Sequence, residues 1–381
     1  MHGNGNGNGT QLPRPLPLVG RRDELQRLFR VFGAGSEGGA LRVLVGEGGV
    51  GKSRLAQTLA EEASRRDWRV VHGRAYPVEQ GVPYAVMADA FVPLLRELDA
   101  STLTVLSRGR EADLRRLFPA LGVEAESDRG GLDPDELRTR LFWSFGTLLQ
   151  RLGEREPILV VLEDLHWADS SSVSLLHFLV RHLEGDGVRI VASSTAEDRP
   201  RNPRLLEMER SLESLDRLER LDLQPFGLAE IETLLNLVFH VSGPAVSEFA
   251  DRLFGWTRGN AYFVEQTLRS LVESGRLHRR DGTWMGWEAR DLALPSTIRD
   301  AVAARFGDVS EAALDTAHVM AALGRPARLD ILREVTGVDR DGLASVVEEL
   351  VASGAVEEIE REGRVLLQFL HPLTRETLYR G

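Results

Sequence analysis

Two hydrophobic periods alternate along the first 225 residues. Runs rich in β-branched and other apolar residues at 41–45, 68–75, 157–162, 188–194 and 218–223 predict strands. The run at 157–162 is apolar throughout, as a central parallel strand covered on both faces requires. Between the strands, apolar residues recur at i, i+3, i+4 spacing at 54–63 and again at 86–98, 111–118 and 135–152, so 81–152 reads as a helical insertion. Asp133-Pro134 supplies a start signal for the last of these helices. An earlier amphipathic helix, opening at Leu18-Val-Gly-Arg21, carries Leu25, Leu28, Phe29 and Phe32 on one face. Strands alternating with helices predict an α/β fold, a doubly wound parallel sheet with ligands at the carboxyl ends of its strands.

Beyond Pro225 the strand signal fades. Helices are predicted at 228–239, 245–254 and 261–274, the last stopped by Gly275, followed by a hairpin over 277–287 that turns at Asp281-Gly282. After Leu294-Pro-Ser296, helices near 297–306, 311–323, 328–336 and 341–353 precede strands at 356–360 and 365–369. These are the elements of a winged helix. At the other end, the Gly-Asn alternation over 3–9 has nothing apolar to bury, and Pro13, Pro15 and Pro17 impose extended backbone. Residues 1–17 are therefore expected to be a flexible tail.

Composition narrows the class. With 381 residues, 42% hydrophobic and 28% charged, the chain has material for two or three domains. It holds no run of about 18 apolar residues and its N-terminus lacks the blocks of a signal peptide, so no membrane partner and a cytoplasmic location are expected. The absence of cysteine excludes disulfides, thiolate metal sites and cysteine nucleophiles. A net charge of -11 argues against a main surface that grips duplex nucleic acid.

The strongest chemical signal is Gly46-Glu-Gly-Gly-Val-Gly-Lys-Ser53, which fills the G-x-x-x-x-G-K-[ST] template between a predicted strand and a predicted helix. Such glycines let consecutive N–H groups point at an anion, and the helix N-terminus adds its dipole. Candidate nucleotide contacts are Gly48, Gly49, Val50, Gly51, Lys52, Ser53 and Arg54, with Lys52 on the β- and γ-phosphates and Ser53 on Mg2+. Lys52 is the single lysine among 47 basic residues. A compact ammonium fits a cradle of backbone amides where a planar guanidinium does not. The region 18–225 is thus expected to be a P-loop NTPase domain, 226–290 a helical lid with hairpin, and 291–381 a winged-helix domain.

A P-loop enzyme also needs carboxylates. Glu163 and Asp164 end an apolar strand expected to neighbour the one that feeds the loop. Glu163 is assigned to the Mg2+ shell with Ser53, and Asp164 to polarising the attacking water; with Lys52 they form the candidate catalytic set. His166 beside Trp167 reads as structural, and no histidine pair has metal-ligand spacing.

Six segments then stand in a recognisable order: Leu18-Val-Gly-Arg21, the glycine loop, Leu162-Glu-Asp-Leu-His-Trp-Ala-Asp169, Arg258-Gly-Asn-Ala-Tyr-Phe-Val-Glu265, Leu294-Pro-Ser-Thr-Ile-Arg299 and Phe369-Leu-His-Pro-Leu-Thr-Arg375. Together they resemble the signal-transduction ATPases with numerous domains, with the closest likeness to the N-terminal ATPase region of the large ATP-binding LuxR-family transcriptional regulators, over about residues 18–381. The resemblance implies an ATP/ADP switch that opens between domains and self-associates in its ATP state in response to an unknown signal ligand or protein. It places Val19, Gly20 and Arg21 near the adenine and makes His371 a latch on the β-phosphate, although a histidine at a strand end also serves structure alone. Such regulators usually continue into helical repeats and a C-terminal DNA-binding module, so this chain is expected to be part of a longer protein.

Three departures bear on turnover. Gly259-Asn-Ala-Tyr262 lacks the proline usual in that segment. The strand that often ends in Thr-Tyr-Arg reads Ser193-Ser-Thr-Ala-Glu197, leaving Thr195 or Ser194 as weak phosphate contacts, and Glu163 replaces the commoner aspartate. Slow hydrolysis is expected. The alternative is a replication-initiator-like AAA+ ATPase that grips DNA through its winged helix. That reading predicts a basic recognition helix, whereas 340–360 holds six acidic residues against Arg340. A metabolic P-loop kinase would leave everything after 225 without a role.

Overall fold

The computed structural model describes residues 12–13, 15–33, 40–121, 133–185, 187–281, 283–287, 302–303, 306–307, 309–324, 326–361, 364–369 and 372–380. The chain divides into two compact units, Arg22–Leu223 and a second made of Met1–Arg21 with Gln224–Gly381.

The first unit runs α1 (Arg22–Phe29), β1 (Leu41–Gly46), α2 (Lys52–Arg65), β2 (Arg69–Arg74), α3 (Ala85–Glu97), α4 (Ala100–Ser107), α5 (Glu111–Leu117), α6 (Pro134–Arg155), β3 (Ile158–Glu163), α7 (Ser170–His182), β4 (Val188–Thr195), α8 (Pro203–Glu213) and β5 (Leu218–Asp222). Its five strands pair in parallel in the order β2-β3-β4-β1-β5. Every position of β1 and β3 is buried, as strands covered on both faces must be. One expectation is corrected: β3, which ends in the acid pair, does not neighbour β1, because β4 lies between them and bonds to both. Crossover connections free chain neighbours from spatial adjacency, and no local pattern records the resulting order.

The helical insertion packs through Phe91, Phe118 and Phe145, whose rings meet edge to face at 4.9 and 5.1 Å. Its first helix, α3, lies so close to β2 that a Cβ on Gly73 would stand 2.6 Å from the Val86 carbonyl oxygen. Helices α4, α7 and α8 are additions to the expected set. Asp99 caps α4 by accepting the Thr102 N–H at 2.9 Å, and Asp169 caps α7.

The second unit contains α9 (Leu228–Phe239), α10 (Pro244–Thr257), α11 (Ala261–Glu273) and the hairpin β6 (His278–Arg280) with β7 (Thr283–Met285). Phe239 sits edge-on to Trp284 and Trp287 at 4.9 and 5.3 Å. Leu12, Leu16 and Val19 are buried in the same core, and the Arg269 guanidinium donates to the Pro13 carbonyl at 3.0 Å. The flexible-tail expectation is therefore corrected for residues 12–13 and 15–17, where Leu12 and Leu16 are buried in this core; residues 1–11 and 14 lie outside the described set. Of the helix expected at 297–306, most also lies outside it.

The unit continues with α12 (Glu311–Leu323), β8 (Ala327–Arg328), α13 (Leu329–Thr336), α14 (Arg340–Ala352), β9 (Val356–Arg361), β10 (Arg364–Phe369) and α15 (Pro372–Arg380). The strands form an antiparallel sheet in the order β8-β10-β9, over a core that includes Met320, Leu332, Leu350 and Leu367. Strand β8 and helix α15 add to the expected elements. Among the described residues no helix is long and apolar enough to cross a membrane.

Candidate functional site

Strand β1 delivers Gly46, whose carbonyl is a meeting point. Lys52 Nζ donates to it at 2.8 Å and the Ala196 N–H at 3.1 Å, and Lys52 donates again to the Glu47 carbonyl at 2.9 Å. The turn between Gly46 and Lys52 needs Gly49 at φ +84° and Gly51 at φ +110°, conformations that side chains rarely adopt. Val50 is buried, and α2 starts at Lys52, so the N-terminal end of the helix adjoins the loop. Burial lowers the Lys52 pKa from its ordinary value, opposed first by the charge of Glu197 and then by Asp164, Glu47 and Asp198.

The exposed Ser53 hydroxyl donates a short hydrogen bond to Glu163 Oε2. The other carboxylate oxygen, Oε1, lies 2.7 Å from His72 Nε2. Glu163 is held below the usual carboxylate range, first by the His72 hydrogen bond and then, against the cost of burial, by that from Ser53. The same contact raises His72.

Asp164 adopts φ +58° and donates its N–H to Ser193 Oγ at 3.2 Å, while its Oδ2 accepts from Arg74 Nε at 2.9 Å and lies 2.8 Å from Nη2. Both members of the acid pair are thus engaged from β2, whose register sets Arg74 opposite Glu163. His72 and Arg74 were absent from the sequence candidates. Their only signal is a pair of polar residues at alternate positions, facing one side of the strand at its carboxyl end.

The turn after the acid pair is fixed by two buried groups. His166 is buried, its ring 5.0 Å from that of Trp167, and its Nδ1 accepts the Thr195 N–H at 3.2 Å. Burial lowers its pKa to about 4, so it is neutral with the proton on Nε2. Asp169 accepts the N–H groups of Ser171 and Ser172 at 2.9 Å and those of Tyr84 and Ala85 at 3.0 and 3.2 Å, joining the starts of α7 and α3.

The first unit therefore brings together Gly48, Gly49, Val50, Gly51, Lys52, Ser53, Glu163, Asp164 and Thr195, the last opposite Gly46 in the β1–β4 register. Of the two phosphate-contact alternatives, Ser194 is fully buried and Thr195 half-buried. Arg54 lies on α2 with its guanidinium 3.4 Å from Gln57 Oε1. Val19, Gly20 and Arg21 belong to the second unit, where Val19 is buried and Arg21 Nη2 donates to the Gln224 carbonyl at 2.5 Å. Gly20 has φ +64°, and a Cβ there would meet Glu230 Cγ at 2.4 Å. His371 lies outside the described residues.

A serine hydroxyl against a carboxylate kept ionised is a hard-oxygen donor pair of the kind that Mg2+ uses alongside phosphates and water, so these residues fit that ion. Among the described residues no group of three or more His, Cys, Asp or Glu forms a metal cage.

Residues 17–191 match the family described as the AAA ATPase domain. The chain is 24% identical over 387 residues to an uncharacterized protein of Rhizobium meliloti (strain 1021), an alignment that covers 95% of this chain and 35% of that protein. It thus spans about a third of that relative's length. Among solved structures, the Aeropyrum pernix ORC2 protein (ADPNP–ADP complexes) aligns at 15% identity over 98% of this chain and 96% of its own, with a TM-score of 0.52. A signal transduction ATPase with numerous domains carrying a tetratricopeptide repeat sensor, from Pyrococcus horikoshii, aligns at 16% identity over 98% of this chain and 44% of its own, with a TM-score of 0.39. The five-stranded parallel sheet and its loop match a P-loop AAA+ α/β fold, and the part of the chain that is similar to the AAA ATPase domain family, residues 17–191, holds the loop, Glu163 and Asp164.

Proposed function

We propose that the chain binds ATP and ADP with Mg2+ and acts as a nucleotide-dependent switch with slow ATPase activity, controlling a signalling or transcriptional output through domain opening and self-association. The observation that carries this reading is the single lysine, buried at the head of a glycine turn and held by two loop carbonyls beside the Ser53–Glu163 pair.

In this reading Lys52 exchanges its carbonyl partners for β- and γ-phosphate oxygens, and the loop N–H groups take the remaining charge. Ser53 and Glu163 hold Mg2+, which neutralises phosphate charge when bound. Asp164 polarises the attacking water once its Oδ2 leaves Arg74, and that engagement supports slow turnover. Thr195 is the phosphate contact at the end of β4. Val19, Gly20 and Arg21 are proposed for the base and His371 for the β-phosphate.

The element order from α12 to β10 and the sheet order β8-β10-β9 support a winged helix in the second unit. Its α14 exposes Asp341 and Glu348, and with α13 and β9 it lines a cleft of about 470 Å³ in which Asp330, Asp341, Glu348 and Glu358 outnumber Arg333 and Arg340. Those carboxylates oppose DNA phosphates, which favours the switch over the replication-initiator alternative. Moving a two-state equilibrium from 1:99 to 99:1 takes about 5.5 kcal/mol of differential binding. A few charge-assisted bonds to one phosphate barely reach that, so a signal ligand or protein shares the work. The test is mass analysis of nucleotide released from the purified chain: ADP or ATP is expected, absent from Lys52→Ala, and an empty wild-type protein that takes up neither counts against the reading.

A further inference from the structure

We propose that Glu197 sets the nucleotide preference of this site by disfavouring a γ-phosphate, so that the chain holds a nucleoside diphosphate more tightly than the triphosphate. This inference rests on the reading of the site as a nucleotide site.

The placement follows from backbone geometry. Strand β4 runs beside β1 with Thr195 opposite Gly46, and the next N–H, from Ala196, bonds the Gly46 carbonyl at 3.1 Å. That same oxygen receives Lys52 Nζ at 2.8 Å. Glu197 follows Ala196 directly, one residue beyond the N–H that shares the Gly46 carbonyl with Lys52. Its Oε2 is buried and, among the described residues, has no hydrogen-bond partner. A carboxylate oxygen withdrawn from water without a donor is costly unless a cation compensates it. Lys52 is such a cation, and Glu197 is the largest of the charges that favour its protonated form.

Phosphate binding changes this balance unequally. Phosphates cradled by loop N–H groups leave the Lys52 ammonium to be shared with Glu197. A γ-phosphate competes for the same ammonium and brings further negative charge towards a carboxylate that water screens poorly. At separations of several ångströms in a half-buried site, one such like-charge contact is worth about a tenfold change in affinity. The acid also stands two residues past Thr195, where an arginine would act in the opposite sense.

The test titrates ADP and the non-hydrolysable analogue AMP-PNP, each with Mg2+, into the wild-type chain and into Glu197→Gln, Glu197→Ala and Glu197→Asp. Wild type is expected to bind ADP more tightly. The two neutral variants shift the ratio of the two Kd values towards AMP-PNP by about tenfold, and Glu197→Asp stays close to wild type. A merely structural role would weaken both nucleotides together and leave the ratio unmoved, which overturns the proposal. So does a wild-type chain that binds AMP-PNP as tightly as ADP, a result that needs no variant to fold. If wild type binds neither, the nucleotide-site reading itself fails; if it binds both and the ratio is indifferent to Glu197, only the role of Glu197 fails.

Discussion

Arg74 holds Asp164 at the carboxyl end of the sheet, with Nε 2.9 Å and Nη2 2.8 Å from the same oxygen, Oδ2. An Oδ2 held by a guanidinium is not free to accept a hydrogen bond from water in the same directions, and the contact fixes the orientation of the carboxylate. Arg74→Ala should therefore raise the rate of ATP hydrolysis several-fold, about 3- to 10-fold, while Asp164→Asn lowers it by about a hundredfold or more. Phosphate release under saturating ATP reads both. A slower Arg74→Ala enzyme would mean that the guanidinium assists the reaction.

The contact between β2 and α3 predicts a packing effect. A methyl group on Gly73 would press on the Val86 carbonyl oxygen at 2.6 Å and the Ala90 methyl at 2.8 Å. Backbone must move to admit it. Gly73→Ala should cost about 1–3 kcal/mol in urea unfolding. It should also weaken the His72 and Arg74 contacts, since both residues flank the glycine.

Most of the local structure was legible because its signals are local. The strand at 157–162, the glycine loop and the acid pair are written in consecutive residues; the strand forms as β3 with Glu163 at its end, and the glycine loop joins β1 to α2. Helix α7 carries a local signal too, since Asp169 followed by three serines is a capping sequence. Other features had no local trace. The place of β4 between β1 and β3 is a long-range outcome, and the grip of Arg74 on Asp164 joins residues 90 positions apart. Leu12 and Leu16 sit among prolines whose composition says only extended chain, and the core that covers them begins more than 200 residues later.

His166 predicts a pH dependence. Its pKa is lowered to about 4 in the folded chain against an ordinary value of 6.5. Between those values the unfolded chain binds a proton that the folded chain does not, so stability falls as pH drops through that window. The full loss at and below pH 4 is on the order of 3 kcal/mol. Denaturant unfolding at stepped pH should show this slope, and His166→Asn should flatten it by about one proton. An unchanged slope would place the titrating group elsewhere.

The central claim is that Lys52 and its loop hold a nucleotide. Isothermal titration of ADP with Mg2+ into the purified chain tests it most directly, alongside Lys52→Ala and Lys52→Arg checked for unchanged circular dichroism. Saturable binding by wild type that both variants lose is the predicted result, the arginine failing because a guanidinium cannot fit between the Gly46 and Glu47 carbonyls. No binding by wild type, or binding by Lys52→Ala as tight as wild type, would contradict it.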